Sequence, residues 1–126
     1  MQVKIHYHHT DCGGVVYYAR YLDFFEEART ECLAQKGVSV HDLASGGTFF
    51  VVAHQDIDYK CPAVYGDMLT VTAQISEVSR AKIIFFCEIK NQKGQLIAMG
   101  KTVMVCVDKS LKPQALPEEA HSKISQ

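Results

Sequence analysis

The sequence has no run of like charge. Its 13 Lys and Arg are interspersed with 14 Asp and Glu for a net charge of −1, which removes the electrostatic footprint of a general nucleic-acid binder but leaves a specific anionic ligand open. No stretch approaches the roughly 20 apolar residues of a membrane span, and Met1-Gln2-Val3-Lys4-Ile5-His6 lacks the apolar core of a secretory signal. The five cysteines, Cys12, Cys32, Cys61, Cys87 and Cys106, are odd in number, scattered and never spaced CxxC, so neither a disulfide framework nor a zinc ribbon is suggested. Free thiols suit a reducing cytosol, and the expected location is cytoplasmic. There is no internal repeat, linker or low-complexity segment. What is present is a chain of 126 residues, 48% hydrophobic, the size and composition of one domain around one core.

Val3 to His9 reads as a first strand. It runs into Thr10-Asp11-Cys12-Gly13-Gly14, a cluster of turn formers whose two glycines can take positive φ. From Ala19 to Lys36 the pattern is helical: Leu22, Phe25, the aliphatic stem of Arg29, Cys32 and Leu33 recur on one side at three- and four-residue spacing. Early Asp23, Glu26 and Glu27, and Lys36 followed by Gly37, fit the helix dipole and a C-terminal glycine cap. The remainder is strand-like. In Thr48 to Tyr59, residues Phe49, Val51, Ala53, Ile57 and Tyr59 alternate with positions carrying His54, Asp56 and Asp58, and Cys61-Pro62 stops the run. Leu69, Val71, Ala73 and Ile75 alternate with polar residues after a Gly66-Asp67 turn; Ile83 to Ile89 and Leu96 to Val107 follow, joined by the hairpin signal Asn91-Gln92-Lys93-Gly94. One long early helix and three or four long antiparallel strands predict an α+β fold, a curved sheet covered by the helix, with a core over residues 3–107. The tail 111–126, with Pro113 and Pro117, is expected to be a loosely docked end.

His9-Thr10-Asp11-Cys12-Gly13-Gly14-Val15-Val16-Tyr17-Tyr18-Ala19-Arg20 sets a carboxylate on a glycine turn leading into a helix N-terminus. The first N–H groups of a helix have no intrahelical partner and sit at the positive dipole end, so amides near Tyr18 and Ala19 are suited to the negative charge that grows on a carbonyl oxygen under attack. A carboxylate beside that carbonyl or its attacking water serves as nucleophile or general base. Taken alone, the local sequence favours an Asx turn in which Asp11 only bonds its own backbone.

Asp11-Cys12-Gly13-Gly14-Val15-Val16-Tyr17-Tyr18-Ala19-Arg20-Tyr21-Leu22, followed by Phe25-Glu26-Glu27-Ala28-Arg29-Thr30-Glu31, resembles the signature of the 4-hydroxybenzoyl-CoA thioesterase family, with the Tol-Pal-associated acyl-CoA thioesterases as the nearest branch. The likeness continues through Ile57-Asp58-Tyr59, Pro62-Ala63 and Gly66-Asp67-Met68-Leu69-Thr70-Val71, in family order. It implies a hotdog fold, a sheet wrapped round the long helix, and subunits paired edge to edge as a homodimer or homotetramer with acyl-CoA sites at the interface. It also implies hydrolysis of an acyl-CoA, or of an acyl carrier protein thioester, with no cofactor, Asp11 being the catalytic aspartate and Tyr18 presenting its amide to the thioester oxygen. Part of the coenzyme site falls on Ser79, Arg80 and Lys82, which suit phosphates. Tyr21, Glu26, Phe49 and Phe50 are expected in the acyl pocket. Two positions depart from many relatives, which carry His at the place of Tyr18 and Asn at that of Arg20.

Other readings stay open at this level. The Tyr18 ring suits a buried core as well as an acyl pocket; Arg20 suits solvent as well as a phosphate; Glu26 suits an intrahelical pair with Arg29 as well as a cavity. His6, His8, His9 and Asp11 offer a strand at most two ligands on one face, too few for zinc, so no metal is expected. Cys12 reads as a space filler rather than a nucleophile. The competing function is a non-catalytic acyl-group or partner-binding module on the same scaffold; a dehydratase would rest on His54 with Asp58.

Overall fold

The computed structural model describes residues 1–126. The strands are β1 (Gln2–Lys4), β2 (Phe49–Gln55), β3 (Asp58–Tyr59), β4 (Met68–Val78), β5 (Lys82–Lys90) and β6 (Leu96–Val107), and the helices are α1 (Arg20–Gln35), α2 (Val40–Ser45) and α3 (Glu118–Ile124). All strands join one antiparallel sheet in the order β1-β4-β5-β6-β2, with β3 also on β6. β2 and β3 share one edge of β6: Phe49 to Gln55 run against Val107 to Thr102, and Asp58 and Tyr59 against Met99 and Ala98.

Alternation sets which face of the sheet meets the helix. On β5, Ile83, Phe85, Cys87 and Ile89 are fully buried while Ile84, Phe86 and Glu88 are half-buried on the outer face. Against that inner face α1 packs Tyr21, Phe24, Phe25, Ala28, Arg29 and Leu33. Each fully buried large side chain such as Phe25 contributes about 1.5–3 kcal/mol of burial. The helix ends in a Schellman cap. Gly37, at φ 82°, donates to the Ala34 carbonyl, Val38 donates to Leu33, and Val38 is buried.

The 16-residue α1 agrees with the sequence pattern, but its buried stripe is turned: Leu22 is 38% exposed, and Tyr21 and Phe24 take the core. Four further expectations are corrected. The first strand stops at Lys4, because beyond Ile5 local bonds replace the ladder: His6 N–H donates to His9 Nδ1 (2.9 Å), the Thr10 hydroxyl donates to the Tyr7 carbonyl (2.7 Å), and Tyr7–His9 form a 3-10 turn. The run from Thr48 to Tyr59 is two strands, shifted in register between Val52 and His54 and broken at Asp56, whose carboxylate accepts the Lys101 N–H (2.9 Å). A second helix, α2, lies where none was expected; Ser39 caps it by accepting the Asp42 N–H (3.1 Å). The tail is firmly docked: Leu116, Ala120 and Ile124 are buried in the core, spaced four apart on one face of α3 and its approach. Of the turn glycines, Gly14 takes positive φ and Gly13 does not.

Candidate active site

Two isolated bridges, Thr10 with Val16 and Val15 with Val64, pin the glycine turn to the body of the domain. Within it Asp11 N–H donates to the Val15 carbonyl (2.9 Å), Gly14 N–H donates to the Asp11 carbonyl (3.1 Å), and Gly13 N–H donates to Asp11 Oδ1 (2.8 Å). The Asx turn is therefore real, and it uses one carboxylate oxygen. Oδ2 has no partner in the chain, and the side chain is exposed. The turn leaves the residue free for chemistry as well as structure, because the oxygen that closes it also fixes the direction of the other.

The chain then enters α1. Tyr17 N–H is taken by the His9 carbonyl (2.9 Å) and Arg20 N–H by the Tyr17 carbonyl (2.8 Å), while the amides of Tyr18 and Ala19 between them donate to no group in the chain. Ala19, with φ −73° and ψ −19°, is already helical, so these free donors stand at the dipole's positive end. The Tyr18 ring is 61% exposed, which removes the core-packing alternative. It meets Tyr59 edge to face at 6.3 Å, and the Tyr59 hydroxyl donates to the Tyr18 carbonyl (3.3 Å). Tyr21 lies buried beneath, its hydroxyl accepting the Ala63 N–H (3.3 Å). Tyr18, Tyr21, Tyr59 and Pro62 frame a hollow of about 270 Å³.

His9 supports the turn from behind. Its ring lies edge to face on Phe24 (5.4 Å), and its Nδ1 accepts the His6 N–H, which only an unprotonated Nδ1 can do. Burial, then the nearby His8, His6 and Arg20, lower its pKa from the ordinary 6.5. A depressed histidine adds stability that is fully present above 6.5 and is lost as pH falls below it through the folded-state value. Wild type is therefore expected to lose more melting temperature between about pH 7.5 and 5.5 than His9→Asn, whose amide oxygen accepts without titrating. Equal losses would show that His9 does not couple the turn to pH.

The other expected residues are scattered. Glu26 and Phe50 line a second hollow of about 180 Å³, and half-buried Phe49 lines neither one. Ser79, Arg80 and Lys82 sit at the β4–β5 turn, exposed, separated from the Asp11 end of the sheet by the length of the 11-residue β4, about 33 Å at 3.3 Å per residue. One chain does not bring them to Asp11. Arg20 pairs with Asp23 at 3.2 Å in solvent, and Glu26 accepts from the Thr30 hydroxyl (3.2 Å) with no ion pair to Arg29. His54 turns to Asp56 (3.3 Å) and not to Asp58, so the dehydratase pair does not assemble. His6, His8 and His9 cluster about the 3-10 turn rather than along a strand, with ring centroids 4.0–5.9 Å apart and only His6 and His8 stacked. Cys12 is exposed, with no base bonded to it. Neither the Tyr59 hydroxyl nor the supporting role of His9 was expected from the sequence, although the resemblance ran through Ile57-Asp58-Tyr59 and the motif began at His9; Arg29 was expected on the core-facing stripe, and it is buried there, but nothing in the pattern signalled its lack of a counter-ion.

The thioesterase-like superfamily matches residues 5–124. The acyl-CoA thioesterase YbgC of Haemophilus influenzae is 42% identical over 93% of this chain and 87% of its own length. The acyl-CoA thioester hydrolase YbgC of Escherichia coli is 35% identical over 98% of this chain and 93% of its own. Among solved structures, a DHNA-CoA thioesterase from Staphylococcus aureus superposes with a TM-score of 0.92 at 29% identity, covering 99% of this chain and 89% of the other.

Proposed function

We propose that this chain, which belongs to the thioesterase-like superfamily, is an acyl-CoA thioester hydrolase whose catalytic carboxylate is Asp11. The observation that carries the reading is the pairing of an unengaged Asp11 Oδ2 with the two unengaged amides of Tyr18 and Ala19, on a turn clamped at both ends. The thioester oxygen accepts from those amides, which oppose the charge that develops as its carbon becomes tetrahedral. As general base, Asp11 takes a proton from water as its oxygen bonds the carbon; the C–S bond then breaks, the acid forms, and CoA leaves as a thiolate that recovers the proton. As nucleophile, the carboxylate bonds the thioester carbon, the C–S bond breaks and CoA leaves as a thiolate; water then splits the resulting mixed anhydride into the free acid and the restored Asp11 carboxylate, and the thiolate takes up the proton released. Both routes use the same free oxygen.

The YbgC relatives support a place in the Tol-Pal-associated branch. The coenzyme residues Ser79, Arg80 and Lys82 reach an Asp11 site only from a second copy, and β2, bonded to β6 on one side, has a free edge where Val51 and Val52 are exposed. A homodimer, closed or paired further into a homotetramer, completes the site in this reading. Five free thiols suit a cytoplasmic setting. No helix is long and apolar enough to cross a membrane.

The test is thiol release from short aliphatic, long aliphatic and aromatic acyl-CoAs and from an acylated carrier protein. Turnover of at least one class supports the reading; binding of CoA with no thiol from any of them overturns it. A subsidiary effect is expected at Tyr59. The Tyr18 carbonyl and the Ala19 N–H belong to one planar peptide, so the Tyr59 hydroxyl on the former fixes the direction of the latter. Tyr59→Phe is expected to lower kcat by up to about tenfold with KM little changed; an unchanged kcat would remove Tyr59 from the arrangement.

A further inference from the structure

Arg29 is the anomaly of the core. It projects from the third turn of α1 with 6% of its surface exposed, and no carboxylate lies within ion-pair distance. Its Nη1 donates to Thr102 Oγ1 (3.3 Å), which itself donates to Gln55 Oε1 (2.6 Å), while its Nε has no acceptor at all. The Cys87 thiol beside it supplies no negative charge, since burial pushes it up to about 11. A buried guanidinium without a counter-ion or a full set of acceptors is costly, and a group left so in a native fold calls for an acceptor from outside the chain, a water, an ion or a ligand group.

The surroundings say what kind. Arg29 lines the hollow of about 180 Å³ between α1, α2, β2 and β6, whose remaining walls are mostly apolar, among them Phe50 and Met104. At its edge stand Glu26 and Thr30, both exposed. The hollow therefore offers apolar walls, a buried donor, and a carboxylate acceptor one turn away. A carboxylate entering it would meet repulsion from Glu26; a bare methyl end would leave Arg29 unserved. A hydroxyl satisfies both, accepting from Arg29 and donating to Glu26. Arg29 is ten residues along α1 from Ala19, about 15 Å at the helical rise, and the strip Tyr18, Leu22, Glu26, Thr30, each four residues on and each exposed, runs between them.

We propose that this hollow is the far end of the acyl site and that Arg29 selects long acyl chains carrying a hydroxyl near the terminus distant from the thioester. The proposal rests on the thioesterase reading above and adds the substrate class.

The experiment compares kcat/KM for dodecanoyl-CoA, ω-hydroxydodecanoyl-CoA and the matching dicarboxylic mono-CoA ester, using full-length wild type and Arg29→Met. Wild type is expected to favour the hydroxylated chain over the plain one by about 10–100-fold, the worth of a hydrogen bond to a charged group, and to disfavour the carboxylate. In Arg29→Met the preference collapses towards unity while plain dodecanoyl-CoA is still hydrolysed. Wild type with no preference, or a preference that survives in Arg29→Met, overturns the proposal. So does an Arg29→Met that keeps the preference and changes only its oligomeric state, which would make the hollow a subunit contact. If Arg29→Met does not fold, Thr30→Val and the wild-type ratio decide: a ratio at or below unity overturns the proposal. Failure of wild type on every thioester overturns the parent reading instead, and this one with it.

Discussion

Asp11→Asn is expected to lose at least about a hundredfold in kcat while folding as the wild type does. The substitution separates the residue's two roles. Asparagine's side-chain oxygen still accepts the Gly13 N–H, so the turn, its positive-φ Gly14 and its bridges to Val16 and Val64 persist. What is lost is the free anionic oxygen, since an amide neither takes a proton from water near neutral pH nor attacks a thioester. KM is expected to move little, because the amides of Tyr18 and Ala19 and the hollow beside them are untouched. The measurement is steady-state thiol release together with melting temperature. A mutant as fast as wild type would place the chemistry on another group.

Gly100→Ala is expected to be the most destabilising small substitution in the sheet. A Cβ there would fall on the carbonyl oxygen of Asp56, within 3.1 Å of its carbon and 3.2 Å of the Ile57 Cα, all backbone atoms that have no rotamer to escape into. At this point β6 passes under the break between β2 and β3, where Asp56 binds Lys101 through both its N–H (3.0 Å) and its carboxylate. Over-packing of this sort costs about 1–3 kcal/mol, or a melting temperature lower by about 4–12 °C for a domain of this size. Because β3 carries Tyr59 to the helix N-terminus, activity is expected to fall further than stability explains. A melting temperature within a degree or so of wild type would show that the β2–β3 break gives way freely.

The parts of the fold legible in the sequence are those where one pattern dominates. α1 with its Gly37 stop, the alternation in β4, and the β5–β6 hairpin all have a period, a boundary residue and no competing local chemistry. The misses fall where side chains bond the backbone: His9 and Thr10 convert a strand-like run into a 3-10 turn, and Asp56 cuts one long strand into two. The tail departs from its pattern for a different reason. Leu116, Ala120 and Ile124 are too few and too widely spaced among charges to register as a stripe, yet tertiary packing buries all three. In the site, Asp11 and the helix start are one continuous segment and could be read directly. Tyr59, some forty residues on, reaches them only through the sheet register, and the isolation of Arg29 depends on which side chains fail to arrive, which no local pattern encodes.

The most direct test of the account is product analysis after a single turnover in heavy-oxygen water, with enzyme in excess over acyl-CoA. Expected are one equivalent of free CoA and one of carboxylic acid, with the solvent oxygen in the acid by the general-base route or in the Asp11 carboxylate where water opens a mixed anhydride there, and neither product from Asp11→Asn over the same interval. Recovery of intact acyl-CoA bound to wild-type protein would contradict it and leave a binding module in place of an enzyme.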